Sequence, residues 1–224
     1  MSINDINNSP IAKKEWIVRA KQNAENYYSE NNYSLVPLFE NELREAGFEF
    51  EISNQTLGFM PKHKKIILPI AIKYYKLAKE KQKTNEQNHF LSFFHFKGLN
   101  EVTPLLIEDF YCKETSELTR WFISDCLYQI QDKHFIKEYL DIASNMTFGR
   151  NRQMIILLLG KLKEETAIPL LIDLLEDEEV RLQAINSLGL FKKEEFRTYF
   201  ERFQKSTHPG WRKYAQLALK KLDS

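Results

Sequence analysis

The sequence predicts an all-α solenoid of stacked helical hairpins, and three observations lead there. Glycine and proline are scarce, at 7 each in 224 residues, which disfavours a turn-rich β architecture. The long segments are filled by Leu, Ile, Lys, Glu, Ala and Gln, residues that helices accommodate well. Third, the C-terminal half repeats itself at a nearly constant period, the signature of a stacked-repeat architecture.

The repeat is clearest when four segments are aligned on an arginine: RWFISDCLYQI from Arg120, RQMIILLLGKL from Arg152, RLQAINSLGLF from Arg181 and RKYAQLALKKL from Arg212. Three residues after the arginine stand Ile123, Ile155, Ala184 and Ala215. Seven after it stand Leu127, Leu159, Leu188 and Leu219, and ten after it Ile130, Leu162, Phe191 and Leu222. Offsets of three, seven and ten lie on one helical stripe, so each segment is an amphipathic helix. Between them lie shorter amphipathic stretches, 100–112, 134–144, 165–177 and 194–205. Pro104 and Pro169 occupy matching places in two of these, as the first turn of a helix permits. Two helices per unit cannot cover their own apolar faces, so the units stack.

Toward the N-terminus the pattern weakens. Residues 64–81 read as a helix with Pro69 near its start, and 85–97 as its return helix, closed by Gly98. Ser9–Asn31 and Ser34–Ala46 read as two further helices, the second capped by Gly47. Phe48 to Ile52 alternates like a short extended segment. The expected organisation is a helical cap over 1–60 and about five hairpins over 61–224, together forming one continuous structural domain.

Glu165 to Lys192 (ETAIPLLIDLLEDEEVRLQAINSLGLFK) resembles a HEAT repeat. It has the proline in the first helix, the acidic turn, Val180-Arg181 opening the second helix, and an Ala-x-x-x-Leu-Gly ending at Gly189. The resemblance is strongest over residues 99–224. It implies a right-handed α-α superhelix with an atypical N-terminal cap, acting as a non-catalytic scaffold that binds a partner on its concave face. It also implies that Arg120, Arg152, Arg181 and Arg212 are structural, bonding to aspartates and helix ends of the adjacent unit.

Composition narrows the function classes. A net charge of +1, from 32 basic and 31 acidic residues, gives no global attraction for nucleic acid or an anionic membrane. Locally, 61–83 holds eight lysines and one glutamate, while 164–179 holds seven carboxylates and no basic residue. The longest apolar run, Met154 to Gly160, is too short for a membrane span. The N-terminal residues lack the pattern of a secretory signal, so a cytoplasmic protein is expected. Cys112 and Cys126, among apolar neighbours, read as buried free thiols.

None of the five histidines stands at metal-ligand spacing, and no nucleotide-binding or nucleophile motif occurs. No cofactor and no metal is implied. His134 and Glu138 are one turn apart and read as a surface pair. A HEAT-like alkylpurine DNA glycosylase is the catalytic alternative, with Trp121, Asp125 and Arg152 as the set that would stack an excised base and stabilise positive charge. Against it, residues 99–147 carry nine acidic and four basic side chains.

The expected partner is a protein, held by second-helix residues at offsets one and five: Trp121 and Asp125, Gln153 and Leu157, Leu182 and Asn186, Lys213 and Leu217. Trp121, Asp125, Gln153, Asn186 and Lys213 are the candidate binding residues, with Trp121 a natural anchor. An inhibitor or immunity-type protein is the specialised form of this reading, its charge blocks matching those of the target. Trp211 reads as packing at the C-terminal end, after a turn at His208-Pro209-Gly210.

Overall fold

The computed structural model describes residues 34–48 and 60–223. The helix expected over Ser9–Asn31 and most of the extended segment after Phe48 lie outside them. Among the described residues the chain is helical throughout, without strands, and it divides into two compact units, 1–93 and 94–224.

In the first unit, α1 (Val36–Glu45), α2 (Met60–Glu80) and α3 (Thr84–Leu91) enclose an aromatic core. Phe39 meets Phe90 and Phe93 edge-on, with ring centroids 5.2 and 5.0 Å apart, and Tyr74 at 5.6 Å. The Glu86 carboxylate accepts from the Leu35 amide at 3.0 Å, placing negative charge where α1 begins and its first amides lack helical partners. Gly47, at φ 90°, ends α1 as expected.

Two expectations change here. The helix around Pro69 has an added turn from Met60, set off by non-helical backbone at His63 (φ −118°), so its continuous part starts where expected; Pro69 stands inside it, on the exposed face. The return helix stops at Leu91 and tightens into a 3-10 turn, Ser92–Phe94. Ser92 Oγ donates to the His89 carbonyl at 2.6 Å, the local side-chain bond that competes with helix propagation.

The second unit contains four hairpins: α4 (Thr103–Tyr111) with α5 (Glu117–Ile130), α6 (Ile136–Ser144) with α7 (Gln153–Leu162), α8 (Ile168–Asp173) with α9 (Arg181–Phe191), and α10 (Arg197–Phe203) with α11 (Pro209–Leu222). Every first helix opens with a 3-10 turn, at 100–102, 133–135, 165–167 and 194–196. Pro104 and Pro169 stand at the helix starts, where a missing amide hydrogen costs nothing. The second helices α5, α7 and α9 each end on a left-handed residue eleven positions after the register arginine: Gln131 (φ 61°), Lys163 (φ 54°) and Lys192 (φ 56°). The chain then reverses, and the side chains of Asp132 and Glu164 cap the next turn through the amides of His134 and Thr166.

The apolar stripe behaves as its spacing predicts near the middle of each helix. Ile123, Ile155, Ala184 and Ala215 are fully buried, as are Leu127, Leu159 and Leu188. At offset ten only Ile130 stays buried, while Leu162, Phe191 and Leu222 are half-covered. Of the two cysteines, Cys126 is buried, and burial pushes its thiol pKa up. Cys112 is partly exposed, its Sγ 2.9 Å from Glu114 Oε2, because it caps the end of α4 in extended backbone.

Adjacent second helices approach through small residues. A Cβ on Gly160 would lie 2.5 Å from Ser187 Cβ and 2.6 Å from its Cα, and one on Gly189 would lie 2.9 Å from Ala218 Cβ. Ser187 Oγ also donates across the junction to the Ile156 carbonyl at 2.9 Å. Because the obstacle at Gly160 includes backbone, Gly160→Ala forces α7 and α9 apart. A loss of about 1–3 kcal/mol of stability is expected in urea unfolding followed by circular dichroism.

Candidate functional site

The register arginines come first, because they decide which side chains remain for a partner. Each sits at or near the start of its second helix and reaches back to the open end of its own first helix or, for Arg212, to the turn that follows it. Arg120 donates to the carbonyls of Phe110 (2.8 Å) and Cys112 (3.1 Å). Arg152 donates to those of Ala143 (3.3 Å) and Gly149 (2.9 Å). Arg181 donates to those of Leu175 (2.6 Å) and Glu176 (3.1 Å), and Arg212 to that of Ser206 (2.6 Å). The structural role stands, but the helix ends served belong to the same unit rather than the adjacent one. Arg152 also reaches forward, to Asp177 at 2.6 Å in the next hairpin.

Arg152 is fully buried. It therefore cannot join Trp121 and Asp125 in the base-stacking set of the glycosylase alternative. Arg181 is buried too, its guanidinium 4.3 Å from the Trp211 ring centroid and 5.9 Å from that of Phe203. His208 stacks on Trp211 at 4.4 Å while its Nδ1 caps the start of α11, so Trp211 packs at the C-terminal end as expected.

The outward faces of α5, α7, α9 and α11 present the candidate binding residues unequally. Trp121 is 37% exposed and Leu217 43% exposed; Lys213 is exposed, and Asp125, Leu157 and Asn186 are half-buried. Gln153 and Leu182 are engaged within the array. Gln153 Nε2 donates to the Glu179 carbonyl at 2.7 Å, and the Leu182 methyl lies against Gly210. Offset one therefore meets the following hairpin as well as solvent. Offsets two and nine, which the sequence analysis does not single out, also reach solvent: Phe122, Met154, Leu190 and Lys161 stand there, all at least partly exposed. The repeat's helical phase carries a signal for them, since at about 100° per residue they flank the outward arc of offsets one and five, away from the stripe of three, seven and ten.

Asp125 has a neighbour that sequence spacing does not suggest. His95 Nε2 lies 3.7 Å from Asp125 Oδ2, and burial holds the His95 pKa below the ordinary histidine value, with Asp125 opposing that shift. On α7, Lys161 Nζ rests 4.1 Å from the Tyr128 ring centroid, its pKa lowered by burial and then by Lys97. His134 pairs with Asp132 at 2.7 Å rather than with Glu138.

The acidic block of 164–179 is largely committed inside the array. Glu164 caps the Thr166 amide, Glu165 pairs with Lys193, Glu176 with Arg202, Asp177 with Arg152 and Glu178 with Arg181, and Glu179 lies 4.0 Å from Arg152. Among the described residues no group of three or more metal-ligating side chains forms, and no helix is long and apolar enough to cross a membrane. An open groove of about 500 Å³ lies on the first-helix side, lined by Tyr111, Lys137, Glu138, Leu140, Asp141, Ser144 and Leu170. Tyr111 Oη donates to Asp141 Oδ2 there at 2.6 Å.

Helical hairpins stacked through their second helices, each closed by an arginine, define an α-helical solenoid. Residues 136–220 match the family model of HEAT repeats. Over that stretch the chain is similar to HEAT repeats. No curated protein and no solved structure matches it.

Two outcomes follow from this geometry. Removing Arg152 strands Asp177 and two carbonyls, so Arg152→Ala is expected to lose about 3–5 kcal/mol in urea unfolding. Arg152→Lys recovers little, because an ammonium lacks the planar fork. For His95, the unfolded chain protonates near the ordinary value of about 6.5 and the folded chain only at lower pH. Between those two values the unfolded state binds more protons, so stability falls as pH drops below about 6.5. Thermal unfolding from pH 7.5 to 5 should show this decline, and His95→Gln should reduce its slope.

Proposed function

We propose that this protein is a non-catalytic scaffold that holds a protein partner through its second helices, on the concave side of the superhelix. The observation that carries the reading is the composition of that face. Trp121, Phe122, Met154, Leu157, Leu190 and Leu217 keep part of their apolar surface in solvent, among Asp125, Asn186, Lys161 and Lys213. An apolar centre with a polar margin and an exposed tryptophan is the make-up of a docking surface. The burial of Arg152 supports the scaffold over the glycosylase.

In the inhibitor form of this reading, the partner is an enzyme or toxin whose active surface is covered. The acidic block then contributes little complementarity, since its carboxylates already have internal partners. Recognition rests on the apolar second-helix face, with Asp125 and the lysines setting orientation.

Affinity capture from native lysate, with and without nuclease, tests the proposal when run beside Trp121→Ala and Leu217→Ala. One stoichiometric, nuclease-resistant protein is expected. Its affinity should fall roughly 30-fold in Trp121→Ala, in line with an anchor worth about 2 kcal/mol, at unchanged thermal midpoint. A partner retained by both variants would move the interface elsewhere.

A further inference from the structure

We propose that α2 carries a second, independent binding surface: a lysine stripe that holds the phosphate backbone of duplex nucleic acid without reading its sequence. Ile67, Leu68, Ala71, Tyr74, Tyr75 and Ala78 of this helix are buried. At about 100° per residue they share one arc. The opposite arc is exposed and presents Lys65, Ile66, Pro69, Lys73, Lys76 and Glu80. Lys62 is exposed as well, just ahead of the non-helical backbone at His63.

Lys65 to Lys76 spans about 16 Å along the axis, matching about five base pairs of duplex. Lys73 already has Glu42 at 2.6 Å, so Lys62, Lys65 and Lys76 are the principal phosphate contacts and Lys73 an auxiliary one. The surroundings reinforce the sign. Among described residues up to Phe93, nine basic side chains face five acidic ones, although the whole chain is nearly neutral.

Three features select the occupant. Tyr74 and Tyr75, the aromatics interleaved with these lysines, are in the core. The face therefore has no stacking platform for the bases of a single strand. Its exposed apolar residues are only Ile66 and Pro69, too few to lodge in a bilayer interface. Lysine is a point charge on a flexible stem, suited to phosphates and poorly suited to bidentate base reading. Two pairs of such charges on one side of the element, Lys62 with Lys65 and Lys73 with Lys76, complement a duplex backbone.

The test is fluorescence anisotropy of a labelled 20-base-pair DNA of arbitrary sequence, titrated with the full-length protein. Binding is expected at low salt, weakening roughly 40- to 150-fold between 50 and 200 mM salt, the slope for three to four released counterions. It should be insensitive to sequence and weaker for single strands. Lys65→Glu with Lys76→Glu should weaken it at least tenfold at 50 mM salt. The charge-neutralising pair Lys65→Gln and Lys76→Gln should fall in between, with thermal midpoints unchanged for these exposed positions. Lys163→Glu with Lys192→Glu, in the second unit, should leave it unaltered. No binding at 50 mM salt, indifference to the reversal, tighter binding to single strands, or lysine-dependent binding only to phosphatidylserine vesicles would each overturn the proposal. Trp121→Ala reports on the protein-partner face and is expected to leave duplex binding intact, so the two readings fail separately.

Discussion

Everything in the second unit depends on how the first helix of each hairpin ends. The last carbonyls of an α-helix have no partner within it, and leaving them buried without one is costly. In this protein a guanidinium from the start of the second helix supplies missing donors in three hairpins, and in the fourth Arg212 bonds the Ser206 carbonyl in the turn that follows α10. An arginine reaching two carbonyls at once also fixes the angle at which the second helix leaves the turn. Arg152 extends the device across a junction by pairing with Asp177, so capping within a unit and stacking between units share one buried side chain.

Stacking then follows from side-chain size. Gly160 against Ser187 and Gly189 against Ala218 let the second helices approach more closely than larger residues permit. At the corresponding place on α5 the residue is Tyr128, whose ring lies under Lys161 of the next helix. The repeat is therefore not uniform, and its two later junctions share a small-against-small contact. The left-handed residues Gln131, Lys163 and Lys192 complete each unit. A non-glycine residue in that conformation pays a local cost, tolerated here because the capping groups and buried stripes on either side hold the reversal in place.

Much of this was legible in the sequence because a helical repeat writes its period directly into residue spacing. The buried stripe, the paired prolines Pro104 and Pro169 and the arginine register all follow from offsets along the chain. What was not legible depends on contacts between elements. Nothing local reveals that Gln153 and Leu182, placed at a solvent-facing offset, touch the following hairpin. The partnership of His95 with Asp125 joins residues 30 apart in the chain. The extra turn from Met60 ahead of α2's continuous part was not legible, because it is joined across non-helical backbone at His63 rather than by the repeating apolar pattern.

The two charge blocks show why a count of charges is a poor guide to partners. The seven carboxylates of 164–179 form the more conspicuous block in the sequence, yet six of them are bound to amides or cations of the array itself. A partner would have to compete with geometry already in place, and exposed pairs of this kind contribute little long-range field at physiological salt. The lysines of α2 differ in arrangement. The helix turns aromatic and aliphatic residues inward and presents Lys65, Lys73 and Lys76 on one outward arc, where Glu42 pairs with Lys73 and Glu80 stands one turn from Lys76. A one-sided excess of charge on a helix projects a field with direction. On that physical ground α2 is the stronger candidate for electrostatic attraction, and the second-helix face the stronger candidate for apolar docking.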